Sequence, residues 1–392
     1  MTELSAADLA VDRELASIGQ SFRFLVDLTP VNVEEALKEF LESPDDPPRF
    51  VYRDLEDAPE VVGARLAQVD LTNVSDPTLA HLFEAKRREL RLQLDMLAAR
   101  GRPEFAALSV ELYGVPSPTL EEQATTILEQ VQRIRSSGRR LEAGEVAAKA
   151  IDHLTHYRRL YADLPSKVTV RTDVSGIMVA EGDLLIADTV NIPTSRLPSV
   201  IAHEVDTHIL TFFNGSHQPL RLMAAGLAGF DETQEGLAVL SEGLVGGLTG
   251  KRLRQLAARV ITVHRMVQGV TFPHVCSELS NRFGYSAPGA FMIAMRVYRG
   301  GGLTKDAVYL RGLQAVVEHV SSSESRSLAD LSPMWVGKFS LIDLPLVNDL
   351  LNRAVLVRPA LLPSFFDDPE AQERLQSIEH DAGLHALIGA QV

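Results

Sequence analysis

Midway along this chain the apolar residues leave helical spacing for one short alternating stretch and then return to it, and that pattern limits the folds open to it. From Thr194 onward nearly every apolar residue recurs at helical spacing, with breaks at Gly215, Gly250, Pro273 and the run Gly300–Gly302. Just before, KVTVRTD, SGIMVAEG and DLLIADTVNI (167–192) alternate as two or three short strands. Upstream, three more stretches read as helices. In the first, running from about Asp76 to Arg100, Leu79, Leu82, Phe83, Leu90 and Leu94 share a face. The second (116–137) opens on Ser117 or Thr119 as cap, with Glu121 or Glu122 near the third position. In the third (142–164), His153 and His156 sit three apart as half-exposed residues. Residues 1–20 read as a short amphipathic helix or a loose arm. FRFLVDL (22–28) and RFVYRDL (49–55) read as strands around a helix (31–43) capped by Asn32. The fold class expected is therefore α+β: an N-terminal α/β module with a helical arm over 1–115, and a mainly helical domain with a small sheet over 116–392.

Charge and cysteine content remove several functions. The chain has 392 residues, 52 acidic against 38 basic, for a net charge of −14. That field repels phosphate backbones, so no nucleic-acid partner is expected. It also repels a strongly acidic polypeptide unless a local basic pocket receives it. The single cysteine, Cys276, excludes an internal disulfide and a cysteine-rich metal site, and HVCSEL reads as a buried helix position. No apolar run is long enough to span a membrane, and the acidic start lacks the basic and apolar blocks of a secretory signal. A cytoplasmic protein is expected, and the excess of Arg over Lys points to a GC-rich bacterial source.

Chemistry concentrates in PTSRLPSVIAHEVDTHILTFFNG. Thr194 or Ser195 caps this helix, Pro198 fits its first turn, and Asn214-Gly215 reads as its stop. Between them lie His203, Glu204 and His208 in an otherwise apolar run. The familiar zinc helix has histidines at i and i+4, whereas here the spacing is five. On a regular helix five residues turn about 500°, leaving the rings about 140° apart. A π-type widening brings i and i+5 onto one face, and such widenings favour functional sites. The motif therefore predicts a helix locally widened between His203 and His208. A third metal ligand is expected from Glu235, 27 residues past His208 in DETQEGLAVLSEG, with Glu232 as its competitor. Two histidines, a glutamate and an open position form a recurring catalytic zinc set. Glu242, one heptad beyond Glu235, is the candidate to orient a liganding histidine. Asp206 is expected to face solvent. With one zinc per chain, Glu204 would act as general base toward a water and pass the proton to a leaving amine.

HEVDTH, NG six residues on, TQEGLA, and RVYRGG with KDAVYLRG together resemble the microtubule-associated tyrosine carboxypeptidases and their bacterial QEGLA-motif relatives. The resemblance covers most of the chain and is strongest over roughly 165–320. It implies a zinc metallopeptidase that removes a C-terminal aromatic residue, with His203, His208 and Glu235 as metal ligands and Glu204 as base. Where that family often has glycine, this chain has Asp206. A carboxypeptidase must also hold a terminal carboxylate. Arg296 or Arg299, i and i+3 at a helix end before the triple glycine, are candidates, with Lys305 beside them. Tyr309 is the candidate oxyanion or proton donor. Two other readings stay open: a regulatory protein that keeps a structural metal, and an aminopeptidase or endopeptidase with the same zinc chemistry. The glutamate beside the first histidine favours an enzyme, and the arginine block favours a carboxypeptidase. His217 and His264 read as ordinary surface or helix residues. The lone Trp335 reads as a core anchor, and GLVGGLTG as a close helix contact.

Overall fold

The computed structural model describes residues 4–132 and 138–378. It is mainly helical with a small sheet, the α+β class expected. The central strand of that sheet, Asp183–Ala187, runs parallel to Val168–Arg171 and antiparallel to Ile177–Ala180. Glu181 and Gly182 form the tight turn of the antiparallel pair, both at positive φ (50° and 82°), as a two-residue hairpin of this hand requires. A Cβ on Gly182 would lie 2.5 Å from the Phe212 ring, so the turn presses against the helix that carries the histidines. A second, two-stranded ladder pairs Arg140–Glu142 with Asn191–Pro193; its first strand gave no sequence signal.

Of the upstream helices, Pro77–Ala98 and Ala143–Leu160 form as expected. Pro118–Gln130 begins under Ser117, whose hydroxyl accepts from the Leu120 amide at 3.1 Å. The expected last residues of that helix, 133–137, lie outside the described residues.

The two strands expected in the N-terminal α/β module are absent. Phe24–Asp27 is a helical turn. Phe24 and Leu28 lie four apart on one face and bury together against Met96, Leu97, Phe105 and Leu303, so helical spacing prevails over the apparent alternation. Residues 50–55 form no strand. They are held by Asn32, which occupies the expected N-cap position but makes no side-chain capping bond: its side chain donates to the Arg49 carbonyl at 2.9 Å and accepts from the Val51 amide at 2.8 Å.

One apolar cluster runs from Val11 to Ile378. At its centre the helix Phe230–Leu244 crosses the helix Val308–Ser321 backbone to backbone. A Cβ on Gly236 would sit 2.1 Å from the Gly312 carbonyl carbon, and one on Gly312 would sit 2.0 Å from the Glu232 carbonyl oxygen. Only glycines allow this approach. It brings Glu235 on one helix and Tyr309 on the other to the same region. Near the Phe230 end, Gly229 takes a positive φ and donates its amide to Glu89 at 2.7 Å.

Candidate metal centre

The histidine helix runs as Leu197–Ile201, then a π-helix over Ala202–Ile209, then Leu210–Ser216. The widening predicted from the five-residue spacing is present, and the two imidazoles stand with ring centroids 5.0 Å apart. Local chemistry supports the wide turn: the Thr207 hydroxyl donates to the carbonyl of Ala202, five residues back, at 2.9 Å. The helix ends at Ser216, one residue past the expected stop at Asn214-Gly215. Gly215 lies inside it because a Cβ there would meet the Met223 carbonyl oxygen at 2.4 Å, so the glycine serves packing. Asn214 instead accepts from the amides of Ala360 and Leu361, each at 3.0 Å.

Asp206 does not face solvent; it is 2% exposed. Its Oδ1 accepts from Tyr157 Oη and pairs with His153 Nε2, both at 2.6 Å, and its carbonyl accepts from Trp335 Nε1 at 2.7 Å. A carboxylate in the middle of the π-turn is thus tied to the helix Ala143–Leu160, and Trp335 is the core anchor expected.

Glu235 completes the cluster. Its Oε2 lies 3.7 Å from His203 Nε2 and 3.9 Å from His208 Nε2. That oxygen is buried and has no hydrogen-bond partner. A tetrahedral site with zinc–ligand distances of about 2.0–2.1 Å has donors about 3.4 Å apart, close to the separations that Glu235 Oε2 keeps from each ring. A carboxylate oxygen of Glu204 lies within 4.8 Å of a ring nitrogen of each histidine. Glu232, the other candidate from the same helix, is occupied by Arg311, whose Nε donates to it at 2.6 Å.

Electrostatics set the protonation pattern. Glu242 Oε1 accepts from His203 Nδ1 at 3.0 Å and from Arg252 Nε at 3.2 Å, while Oε2 accepts from Arg196 Nη1 at 2.8 Å. Burial opposes charge on Glu242, but Arg252, His203 and Arg196 outweigh it and hold the carboxyl well below its usual range. An ionised Glu242 fixes the His203 proton on Nδ1 and turns Nε2 toward Glu235. Burial likewise opposes charge on His203, yet the carboxylates of Glu235 and Glu242 push its pKa up to about 9. Burial lowers His208 to about 4, so its ring is neutral at pH 7. Glu204 is pushed up to about 7 by burial, with His203 opposing and Glu235 adding to the rise.

Beyond the cluster, Arg296 is committed: Nε and Nη2 bind both oxygens of Asp306 at 2.5 and 2.9 Å. Arg299 is buried and donates to Thr29 Oγ1 at 3.0 Å. Lys305 is buried against Asp231 at 3.0 Å. Tyr309 lies under the guanidinium of Arg259, 4.9 Å from its ring centroid, and burial followed by the Glu235 charge raises its phenol. His217 bonds the Phe213 carbonyl and His264 pairs with Glu121, both outside the cluster. Burial pushes Cys276 up to about 12, so it remains an unreactive thiol. Sequence reading passed over Arg196, Arg252, Arg259 and Asp306. The signal for two of these was available: Arg252 and Arg259 are seven apart in the helix Gly250–Val267, Arg259 within the apolar run LAARVIT.

Comparison with known proteins places the chain. No curated protein matches it. A solved structure, described as the putative lipoprotein from Colwellia psychrerythraea, is similar over 89% of this chain and 70% of its own, at 13% identity and a TM-score of 0.45. The family model of the microtubule-associated tyrosine carboxypeptidases matches residues 38–381, nearly the whole chain, and the protein belongs to that family.

Proposed function

We propose that this chain is a zinc-dependent carboxypeptidase that removes a C-terminal Tyr or Phe from a peptide or protein. The observation that carries the reading is the unpartnered Glu235 Oε2, nearly equidistant from the Nε2 atoms of two histidines that a π-turn brings to one face. His203, His208 and Glu235 would hold the ion, which would polarise the scissile carbonyl and activate a water toward neutral-pH attack. Glu204, its carboxyl raised to about 7, accepts the proton and returns it to the leaving amine. The Tyr309 phenol, raised above its ordinary value, stays protonated at neutral pH and donates to the developing oxyanion. A cavity with Phe22, Phe24, Tyr113 and Phe230 in its wall, and Lys86 and Asp231, the partner of Lys305, at its polar side, offers aromatic contacts to a substrate ring.

The test is a mass-spectrometric digest of peptides with varied C-termini, comparing zinc-loaded protein with Glu204→Gln. Loss of only the last Tyr or Phe is expected, with the variant slower by roughly 10²–10⁴-fold. A protein that holds one zinc and cleaves none of the peptides would favour the regulatory reading instead.

A further inference from the structure

The widened turn over Ala202–Ile209 is the rarer form of a helix. If it closed to the regular form, the rings of His203 and His208 would swing about 140° apart. Their Nε2 atoms could then no longer share Glu235 Oε2. Something must hold the turn open. The Thr207 hydroxyl, on the Ala202 carbonyl, does part of this from within the helix.

Asp206 does the rest from outside it. This residue lies midway between the histidines and is buried. Its Oδ1 takes two donors from the helix Ala143–Leu160, Tyr157 Oη and His153 Nε2, both at 2.6 Å. Tyr157 Oη in turn accepts from the Ser364 amide at 2.8 Å, which leaves its own proton for Asp206. On the main-chain side, the Asp206 carbonyl accepts from Trp335 Nε1 at 2.7 Å. Trp335 is fully buried and packs edge-on against Phe366, so its indole cannot follow a carbonyl that moves. One residue therefore ties the turn to three places far apart in the chain. Among the described residues, none of these donors bonds to His203, His208 or Glu235. A buried carboxylate is costly unless its donors stay in place, and closing the helix would rotate Asp206 away from them.

We propose that Asp206 is a positioning residue for the metal site: through Tyr157, His153 and Trp335 it holds the helix wide, so that His203 and His208 face one ion before that ion arrives. It touches neither ion nor substrate. The assignment rests on His203, His208 and Glu235 as metal ligands and needs no peptidase chemistry. An ion that binds only the wide form loses affinity in proportion to the fraction of chains in which the helix has closed. Removing a donor to Asp206 therefore weakens metal binding although every ligand is kept.

The test uses full-length protein loaded with cobalt(II), whose visible absorption reports the geometry of its ligands, and reads zinc affinity by chelator competition. Tyr157→Phe should lower zinc affinity about 10-fold and Asp206→Ala about 100-fold, and both should change the cobalt band. Asp206→Asn, which keeps an oxygen acceptor, should fall between the parent and Asp206→Ala. The control is Leu279→Ala, at a buried position on the helix Phe272–Asn281, which carries no residue of the cluster. It should melt earlier with band and affinity unchanged. Melting curves check each fold, and the two conservative variants decide the matter if Asp206→Ala does not fold. A band and an affinity that match the parent in both Tyr157→Phe and Asp206→Asn would mean that Asp206 serves stability alone, and the assignment falls. Hydrogen exchange in the metal-free protein gives a second readout: amides over 203–211 should exchange faster in Tyr157→Phe than in Leu279→Ala. A parent that takes up no cobalt would remove the metal reading. Faster exchange confined to 203–211 would still support Asp206 as the lock on the turn, and exchange no faster there than in the control would overturn it.

Discussion

Glu242 satisfies three donors at once, and its charge rather than its size makes this possible. Glu242→Gln keeps the shape but removes the anion that holds the His203 proton on Nδ1. Zinc affinity, measured by competition with a chromophoric chelator, should fall about 10- to 100-fold with the fold intact. An unchanged affinity would mean that His203 is oriented by packing alone. His153 offers a second test at this scale. Burial opposes its charge, but Asp206 prevails and raises its pKa in the folded state. A raised histidine contributes stability that is fully present below its unfolded pKa of about 6.5 and is lost as pH rises through the higher folded value. The urea midpoint should therefore decline as pH rises above about 6.5, and His153→Gln should flatten that decline. Equal slopes in both proteins would show that the His153–Asp206 pair carries no charge.

Among the elements, the π-turn was legible because two ligand-type residues five apart can share a face only if the helix widens. The inward turn of Asp206 was not legible. Its partners His153 and Tyr157 lie 53 and 49 residues upstream, and no local pattern links them. The same limit explains the misread strands: FRFLVDL carries both an alternation and an i, i+4 pair, and the choice belongs to Met96, Leu97 and Phe105, which cover Phe24 and Leu28. Asn214-Gly215 marks the helix end to within one residue, and the glycine also lets the Met223 backbone approach closely, which no local pattern foretells. The crossing of Gly236 on Gly312 gives the sharpest prediction for an element. In Gly236→Ala the new methyl meets backbone, which cannot rotate away, so stability in urea should drop by about 2–3 kcal/mol or more. Because Glu235 is the adjacent residue, zinc affinity should drop with it. A variant as stable as the parent would mean that the two helices can separate freely.

For the whole molecule, an acidic chain encloses a site where buried cations and carboxylates stand side by side. The chain carries −14, yet Arg252, Arg259, Arg296, Arg299 and Lys305 cluster around Tyr309 and Glu235. Carboxylates pair with four of them, Glu242 with Arg252, Asp306 with both Arg259 and Arg296, and Asp231 with Lys305, so cations and anions alternate beside the proposed metal ligands. Residues from the N-terminal third help to build the site's surroundings. Tyr52 Oη accepts from the Gly300 amide at 2.7 Å, and Asp12 accepts from the Arg221 and Leu222 amides at 2.6 and 3.0 Å. Buried and surface charges act over different ranges. In the carboxypeptidase reading, the buried charges would act by contact on a substrate's terminal carboxylate and are poorly screened because they are buried. The surface acts at a distance, and salt screens it beyond about 10 Å at 0.1 M. A peptide with several acidic residues upstream of its terminal Tyr meets the repulsive field, whereas one with neutral residues there does not. Raising ionic strength from about 20 to 200 mM shortens the screening length about three-fold, which should raise kcat/KM several-fold for the acidic peptide and leave the neutral one nearly flat. If the acidic peptide instead slows with salt, an outer basic rim attracts it, and the protein is built to draw acidic tails toward the site despite its net charge.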